Sequence, residues 1–265
     1  MIALCPNPYR DENLELTKRA EKLLNDAGFE TTVKTVFTDE KIGDLSKIDM
    51  LIVIGGDGTI LSVVAETYKS GIPILGVNLG TKGFMTSLEA DNIDLIVQAA
   101  RGEYEISERM MLDVFRNGEY VASALNDAVI HGYGDCILLN VKCDSTTIGS
   151  ISGDGIILST PTGSTGYSLS AGGPIVEPVA KSIIISPICA HSIGSKSFVL
   201  DSKRTVSIDV QRLHDKKAYL SVDGRNAWED LNTEDNITVK TSSYTIKMVD
   251  LGVKSFYETA FEKLT

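Results

Sequence analysis

Long apolar runs are missing from this sequence. None of its 265 residues belongs to a stretch of the roughly 20 consecutive apolar positions that a membrane-spanning helix needs. Residues 1–8 also lack the basic end and the cleavage pattern of a secretory signal. We therefore expect a cytoplasmic protein without a membrane partner.

Cysteine is scarce and scattered. The cysteines show neither the Cys-x-x-Cys spacing nor the clustering typical of disulfide frameworks and zinc sites: Cys5, Cys136, Cys143 and Cys189. They predict free thiols in a reducing compartment. The three histidines have no second ligand at helical or hairpin spacing, so they predict no metal site either.

Positive charge is also in short supply. The chain has 25 Lys and Arg against 36 Asp and Glu, a formal net charge of −11, which argues against a nucleic-acid partner. An anionic substrate must therefore be met locally, by helix N-termini, a metal ion or a few basic side chains.

Short apolar runs are abundant, and their order changes near residue 102. Before it, apolar strands alternate with amphipathic helices, which predicts a parallel sheet. After it, strands follow one another, which is typical of an antiparallel sandwich. We therefore predict an α+β protein with an α/β N-terminal domain at 1–101, an all-β C-terminal sandwich at 102–249, and a last helix within 250–265 that returns to the first domain.

The individual elements follow from periodicity and turn residues. The predicted strands of the first half are 2–5, 31–37, 51–54 and 74–77, and the predicted helices are 11–27, 60–68 and 92–100. A hairpin turning at Asn117-Gly118 opens the second half. Further strands are predicted at 128–131, 137–143, 156–158, 182–185, 205–210, 218–222, 236–240 and 244–249, before a helix at 255–264.

The turn Gly55-Gly56-Asp57-Gly58-Thr59 joins a buried strand to a helix. Backbone amides and the positive end of the helix dipole face the carboxyl end of such a strand, where polyphosphates bind in open α/β sheets. A carboxylate repels phosphate, so Asp57 is better suited to holding a metal ion or taking a proton from a hydroxyl nucleophile. The alternative is a plain turn in which Asp57 only caps the helix.

A second unusual segment, residues 153–174, reads GDGIILSTPTGSTGYSLSAGGP. Its glycines let a ligand approach the backbone, and its hydroxyls both donate and accept hydrogen bonds. The segment therefore predicts a binding loop for a planar or sugar ligand. The alternative is a solvated loop.

Four motifs occur in order along the chain: GGDGT at 55–59, NxGxxGF at 78–84, Asn126-Asp127, and the run at 153–174. With the FYExxxxKL ending, they closely resemble the NAD kinases, which share the GGDGT turn with the diacylglycerol kinases and phosphofructokinases. The resemblance extends over nearly the whole chain.

The resemblance implies transfer of the terminal phosphoryl group of ATP, with Mg²⁺, to the 2′-hydroxyl of the adenosine ribose of NAD, giving NADP. It places the active site in a crevice between the domains, with Asp57 as the catalytic residue that orients or deprotonates the hydroxyl. The implied donor-phosphate residues are Gly55, Gly56, Gly58 and Lys82. The implied substrate-binding residues are Gly56, Gly58, Thr59, Phe84, Asn126, Asp127, Asp154, Thr162, Thr165, Gly166, Tyr167, Ser170 and Asp223.

Several of these residues have a specific implied contact. Phe84 would stack on adenine, and the adenine and its ribose would be surrounded by Asn126, Thr165 and Tyr167. Asp127 and Asp154 would hold the nicotinamide ribose and carboxamide. The alternatives are that Asn126-Asp127 is an ordinary turn, that Phe84 is a core residue, and that Asp223 first serves a hairpin turn.

The sequence departs from the family pattern at three places. Asp127 replaces the usual Glu, Ser152 stands where Arg is common, and Thr81-Lys82 replace apolar or Arg residues. Two other functions stay open: a lipid or other small-hydroxyl kinase that shares GGDGT, and a non-catalytic dinucleotide-binding regulator. Polyphosphate as donor and NADH as acceptor also stay open, and the resemblance implies a homodimer or homotetramer.

Overall fold

The computed structural model describes residues 1–35, 42–80, 83–134, 136–191, 195–212 and 217–264. The chain divides into two compact units. Unit 1 comprises Met1–Arg109 and Tyr244–Thr265, and unit 2 comprises Met110–Ser243. The domain boundaries predicted above, after 101 and after 249, stay predictions.

Unit 1 alternates parallel strands with helices. Its strands are β1 (Ile2–Pro6), β2 (Thr31–Val33), β3 (Met50–Gly55), β4 (Ile74–Asn78) and β5 (Leu88–Glu89), and its helices are α1 (Glu15–Asp26), α2 (Asp57–Thr67), α3 (Ile96–Ala100) and the C-terminal α5 (Phe256–Leu264). The five strands pair in parallel in the order β2-β1-β3-β4-β5. The predicted α/β unit with a returning last helix is thereby confirmed.

The three central strands of this parallel sheet are completely buried. Every residue of β1, β3 and β4 is buried, as expected for strands covered on both faces. Helix α1 begins later than predicted, because the Asp11 carboxylate accepts hydrogen bonds from the amides of Leu16 and Thr17, both at 2.9 Å. Gly28, with φ of +89°, follows its end, as predicted.

Unit 2 is built from antiparallel strands. Its strands are β6 (Glu105–Arg116), β7 (Glu119–Ala124), β8 (Asp127–Gly132), β9 (Ile137–Cys143), β10 (Thr146–Gly153), β11 (Gly155–Ser159), β12 (Ser182–Ile188), β13 (Phe198–Asp201), β14 (Val206–Arg212), β15 (Ala218–Val222), β16 (Arg225–Leu231) and β17 (Asn236–Asp250), with the short helix α4 (Tyr167–Ser170). β6 begins and β17 ends in unit 1.

Two layers of these strands share one apolar core. One layer has the order β13-β12-β11-β8-β15-β16, and the other contains β10-β9-β14-β17. Side chains of both layers, including Ile130, Leu139, Leu158 and Ile208, belong to a single buried cluster. The predicted sandwich is confirmed.

One turn predicted from the sequence is present in the structure, and another is not. The hairpin at Asn117-Gly118 is confirmed, since both residues have positive φ and Arg116 pairs with Glu119. The separate strands predicted at 236–240 and 244–249 are wrong, because β17 runs through both without a break. No helix in the described ranges is long and apolar enough to cross a membrane.

Candidate active site

The turn after β3 holds the first group of predicted site residues. A Cβ on Gly55 would lie 2.3 Å from Thr59 Oγ1, so only glycine fits there. The buried Thr59 Oγ1 accepts hydrogen bonds from the Gly56 amide (3.3 Å) and from Asn7 Nδ2 (3.1 Å). Gly58 is exposed, and a Cβ there would meet nothing within 4 Å. Thr59 thus fixes the turn from inside, while its outer side is open to a ligand.

Asp57 is the first residue of α2, and its carboxylate is held by a distant loop. Its Oδ2 accepts a hydrogen bond from the Phe84 amide and its Oδ1 one from the Met85 amide, each at 3.0 Å. Burial raises the pKa of Asp57, although these two amides and the Lys263 ammonium act in the opposite direction. An oriented carboxylate with a raised pKa has the properties of a general base.

The loop after β4 is organised by Asn78. Its Oδ1 accepts a hydrogen bond from the Gly80 amide (2.8 Å), and its Nδ2 donates to the Gly80 carbonyl (3.2 Å) and to Glu89 Oε2 (2.9 Å). Gly83 has φ of +66°, and a Cβ there would lie 2.7 Å from Asn78 Nδ2, so glycine is required. Asn78 therefore holds Gly80 by two hydrogen bonds and lies close to Gly83, which comes directly before Phe84.

Two predicted residues of this loop need separate mention. Lys82 and its neighbour Thr81 lie outside the described residues, so the donor contact of Lys82 stays a prediction. The Phe84 ring is half-buried. Its stacking on adenine also stays a prediction, but its backbone amide has a defined role in holding Asp57.

Our sequence analysis missed Asn7 and Arg10. Both follow β1, which pairs directly with β3, so they lie at the same carboxyl edge as the GGDGT turn. Arg10 is exposed, donates to the Leu79 carbonyl at 3.4 Å, and lies 3.6 Å from where a Gly80 Cβ would stand. It brings one of the few positive charges to this edge. Both residues could have been predicted from the sequence, because the carboxyl ends of neighbouring parallel strands lie at the same edge of the sheet.

In unit 2, Asp223 holds the turn that carries Asn126 and Asp127. Its carboxylate accepts hydrogen bonds from the amides of Leu125 (2.8 Å), Asn126 (2.7 Å) and Asp127 (3.1 Å). The Asp223 amide in turn donates to the Asp127 carbonyl at 2.9 Å. Asp223 does lie in the hairpin turn between β15 and β16, and its side chain fixes the neighbouring turn. Its contact with a ligand stays a prediction.

Two buried polar atoms near this turn have no hydrogen-bond partner among the described residues: Asn126 Oδ1 and Thr162 Oγ1. The backbone around them is tightly packed, since Thr160 donates its amide to the Asn126 carbonyl at 2.8 Å and a Cβ on Gly163 would lie 2.2 Å from that oxygen. Buried polar atoms without partners are rare in folded proteins. This pair indicates a place where a ligand supplies the missing hydrogen bonds.

Three further predicted residues influence one another electrostatically. Burial, and then the neighbouring Asp223, raise the pKa of Asp127 to about 7. The pKa of Tyr167 is raised by partial burial and by nearby groups that include Asp127 and Asp154. A hydrogen bond to the Asp154 carboxylate raises the pKa of the exposed Cys189 thiol. The structure therefore brings Asp127, Asp154 and Tyr167 into one neighbourhood.

The Gly/Ser/Thr-rich run is not a solvated loop, so that alternative is wrong. Ser159, Thr160, Ser164 and Ser168 are fully buried. Their hydroxyls find partners inside the unit; Thr160, for example, donates to the Leu125 carbonyl at 2.6 Å. The run therefore packs several of its polar side chains into the interior of unit 2.

The remaining predicted residues of the Gly/Ser/Thr-rich run are partly or fully exposed to solvent. Thr165 and Gly166 are half-buried, and Ser170 is exposed at the end of α4. Gly166 stands where a Cβ would lie 3.6 Å from Asn126 Nδ2, next to the turn described above. Their position is compatible with ligand contact, which stays a prediction.

The described residues do not form a metal site by themselves. No three His, Cys, Asp or Glu side chains among them lie together as metal ligands. Both oxygens of Asp57 already accept amide hydrogen bonds. Mg²⁺ in phosphoryl-transfer enzymes is typically held by one or two carboxylates together with substrate phosphates. The residues therefore fit Mg²⁺ as part of a nucleotide complex and not as an ion bound by the protein alone.

A carboxylate fixed at a glycine-rich strand-to-helix turn, on an open parallel sheet, is the arrangement of a nucleotide-dependent phosphotransferase. Two family models match this chain: the ATP-NAD kinase N-terminal domain over residues 17–101 and the ATP-NAD kinase C-terminal domain over residues 117–251. The chain belongs to the NAD kinase family. The resemblance inferred from the four motifs is thereby confirmed.

Relatives of known name support the same assignment. The NAD kinase of Lachnoclostridium phytofermentans is 37% identical over an alignment 278 residues long. The alignment covers 97% of this chain and 95% of that protein. The NAD kinase of Natranaerobius thermophilus is 36% identical over 280 residues, covering 100% and 97%.

Solved structures share the fold. An NAD kinase from Archaeoglobus fulgidus in complex with ATP aligns with a TM-score of 0.81 at 25% identity, covering 100% of this chain and 98% of that one. Yeast NADH kinase complexed with NADH aligns with a TM-score of 0.86 at 23% identity, covering 99% and 86%.

Proposed function

We propose that this chain transfers the terminal phosphoryl group of ATP to the 2′-hydroxyl of the adenosine ribose of NAD, giving NADP. The observation that carries this proposal is the Asp57 carboxylate, aimed by the Phe84 and Met85 amides beside a turn that is open on its outer side. Phosphoryl transfer asks a protein mainly for positioning and charge neutralisation. One oriented base beside an anion-binding turn meets that requirement.

The residues of unit 1 would act on the reacting groups. Asp57 accepts the proton of the ribose hydroxyl as that oxygen bonds to the terminal phosphorus of ATP, while the bond from this phosphorus to the bridging oxygen breaks and ADP leaves. The free amides at the start of α2 and the exposed face of Gly58 receive phosphate oxygens. Arg10 adds a positive charge at the same edge of the sheet. Such charge is valuable in a chain of net charge −11.

The residues of unit 2 would recognise the dinucleotide. The unpaired Asn126 Oδ1 accepts from the adenine amino group, in keeping with the affinity of amide side chains for the adenine edge. Thr162 Oγ1 is a second polar atom without a hydrogen-bond partner among the described residues, and it can both donate and accept. Asp127 and Asp154 accept hydrogen bonds from the nicotinamide ribose and carboxamide. Thr165, Gly166, Tyr167 and Ser170 provide the surface beside them.

Further features of the proposal concern the cation and the setting. Mg²⁺ would arrive with ATP beside the GGDGT turn and would reduce the negative charge of the phosphates. All four cysteines are free thiols, which supports a cytoplasmic, reducing compartment. Assembly into homodimers or homotetramers rests on the family resemblance alone, and light scattering tests it.

Production of NADP tests the proposal directly. The full-length protein is incubated with NAD, ATP and MgCl₂, and NADP is measured with an NADP-specific dehydrogenase. Parallel reactions replace ATP by polyphosphate, NAD by NADH, or MgCl₂ by EDTA. Dinucleotide binding without any NADP would instead identify a regulator, and phosphorylation of diacylglycerol in vesicles would identify a lipid kinase.

A further inference from the structure

An ion pair links the C-terminal helix α5 to β5, the strand that follows the loop that aims Asp57. Lys263, near the end of α5, forms an ion pair with Glu89, with 3.6 Å between Nζ and Oε1. The Lys263 side chain is only 20% exposed. A long charged side chain held in a largely covered position at a defined partner is unlike the solvated lysines typical of helix surfaces.

Glu89 contacts Asn78 as well as Lys263. Its second oxygen, Oε2, accepts a hydrogen bond from Asn78 Nδ2 at 2.9 Å. Asn78 in turn binds both the amide and the carbonyl of Gly80, and it packs against Gly83. A series of polar contacts therefore runs from Lys263 through Glu89 and Asn78 to Gly80, and Asn78 also lies close to Gly83.

The same loop holds Asp57, because the amides of Phe84 and Met85 donate hydrogen bonds to its carboxylate. Lys263 is also close enough to act on the Asp57 carboxylate through its charge, favouring the ionised form against the effect of burial. The other charged groups around Lys263 line a cavity of about 330 Å³ between the loop and α5: Glu89, Lys254, Glu258 and Glu262. Lys254 pairs with Glu262, whereas Lys263 pairs with Glu89, which also accepts the hydrogen bond from Asn78.

We propose that Lys263 is a positioning residue for the reaction, acting on Asp57 through Glu89 and Asn78 and through its own charge. The inference rests on the proposed role of Asp57 as the base. It assigns a function to the last helix: α5 completes the support of the base from a position 206 residues further along the chain, since Lys263 and Asp57 differ by that number. Supporting groups of this kind matter because small displacements of a reacting group cost large factors in rate.

Steady-state kinetics of full-length variants test the proposal. K263M is expected to lower kcat by about tenfold or more. The KM for NAD should stay near the wild-type value, because the residues proposed to bind NAD are untouched. The acid limb of the pH profile of kcat/KM should move to higher pH, because the pKa of Asp57 rises when the nearby positive charge is lost. K263R, which keeps the charge, should restore most of kcat and the position of the limb.

Two further variants separate charge from position. K254M removes a lysine from the same cavity that does not pair with Glu89, and its acid limb should coincide with that of the wild type. E89Q removes the ion pair while its amide oxygen still accepts from Asn78. It should lower kcat without moving the acid limb upward, because Lys263 keeps its positive charge near Asp57. E89Q also serves as the deciding variant if K263M fails to fold in a thermal melt.

The outcomes distinguish this inference from the proposed function. An unmoved acid limb in folded K263M, an equal shift in K254M, or wild-type kcat in E89Q overturns the role of Lys263. D57N is measured alongside. Wild-type turnover in D57N refutes the proposed base itself, whereas an inactive D57N together with a kinetically normal K263M refutes only the contribution of α5.

Discussion

The carboxylate of Asp223 accepts a hydrogen bond from the backbone amide of Asn126 at 2.7 Å, across a sequence separation of 97 residues. The same carboxylate also accepts from the amides of Leu125 and Asp127. Three consecutive amides thus converge on one buried acid, whose pKa burial nevertheless raises. The shape of the turn that presents Asn126 therefore depends on a residue from another strand connection.

Asp223→Ala is expected to destabilise the protein and to weaken NAD binding. Three buried amides lose their acceptor, and each unsatisfied group costs about 1–3 kcal/mol, so the free energy of unfolding should fall by about 3 kcal/mol or more. The KM for NAD should rise, because Asn126 is no longer held. Chemical denaturation and steady-state kinetics measure the two effects.

Asp201→Ala provides the matched control. Asp201 also accepts a hydrogen bond from a backbone amide, that of Lys203 at 2.8 Å, but it is exposed. Its removal should change the free energy of unfolding by less than about 0.5 kcal/mol. Equal losses in the two variants would show that the buried turn has no special dependence on Asp223.

Edge strands mark the limit of what the sequence predicts about the fold. β10, β13 and β16, which our sequence analysis missed, all lie at the ends of their strand orders. Such strands bury one edge and little side-chain surface, so they lack the apolar runs by which strands are recognised. The opposite error, at β17, arose from the polar residues 241–243. They resemble a turn between two apolar runs, yet they belong to one continuous strand.

The candidate site shows a similar division. Motif residues such as Asp57 and Asn126 were predicted, because glycine-rich turns and the family resemblance are local features of the sequence. The contacts that hold them were not. Asp223 supports Asn126 across 97 residues, and Lys263 pairs with Glu89, 174 positions earlier in the numbering. Only folding brings such partners together, and no periodicity in one sequence records them.

Asp57→Asn should lower kcat by about two orders of magnitude or more, because a general base typically contributes about 10²- to 10⁴-fold. NAD binding measured by calorimetry should persist, because Asn126, Asp127 and Asp154, which are proposed to bind the dinucleotide, are unchanged. Asp26→Asn is the control, since Asp26 is exposed at the end of α1 in the same unit, and its kcat should match the wild type. Near-normal turnover in D57N would remove Asp57 from the mechanism.

Asp127 should make the stability of the protein depend on pH. Its pKa is raised from 3.8 to about 7 in the folded state, by burial and then by Asp223. Between these values the folded protein keeps a proton that the unfolded chain has released. The free energy of unfolding therefore falls as pH rises from about 4 to about 7, and the loss remains above pH 7.

Asp127→Asn removes this ionisation. The stability of D127N relative to the wild type should therefore increase from pH 5 to pH 8, as measured by urea denaturation at intervals across that range. Asp26→Asn, at an exposed position, should follow the wild-type curve. Parallel curves for D127N and the wild type would mean that Asp127 ionises in the folded protein as it does in water.

Gly163 and Gly166 allow a graded test of how closely the Gly/Ser/Thr-rich run packs on Asn126. A Cβ at Gly163 would lie 2.2 Å from the Asn126 carbonyl oxygen and 2.6 Å from its carbon, so backbone must move. A Cβ at Gly166 would lie 3.2 Å from the Gly163 carbonyl, which a shift of a few tenths of an ångström relieves. Crowding by a methyl group in a tightly packed region costs roughly 1–3 kcal/mol.

Gly163→Ala should accordingly lose about 3 kcal/mol of stability and raise the KM for NAD strongly, because the only way to make room is to displace the residue that carries the unpaired Asn126 Oδ1. Gly166→Ala should lose about 1 kcal/mol and change KM less. Thermal melts measure the loss of stability of the two variants, and kinetics at varied NAD concentration measure the change in KM. Both effects should be larger for Gly163→Ala. A reversed order, or two equal effects, would show that the contact between the run and Asn126 does not set the geometry of dinucleotide recognition.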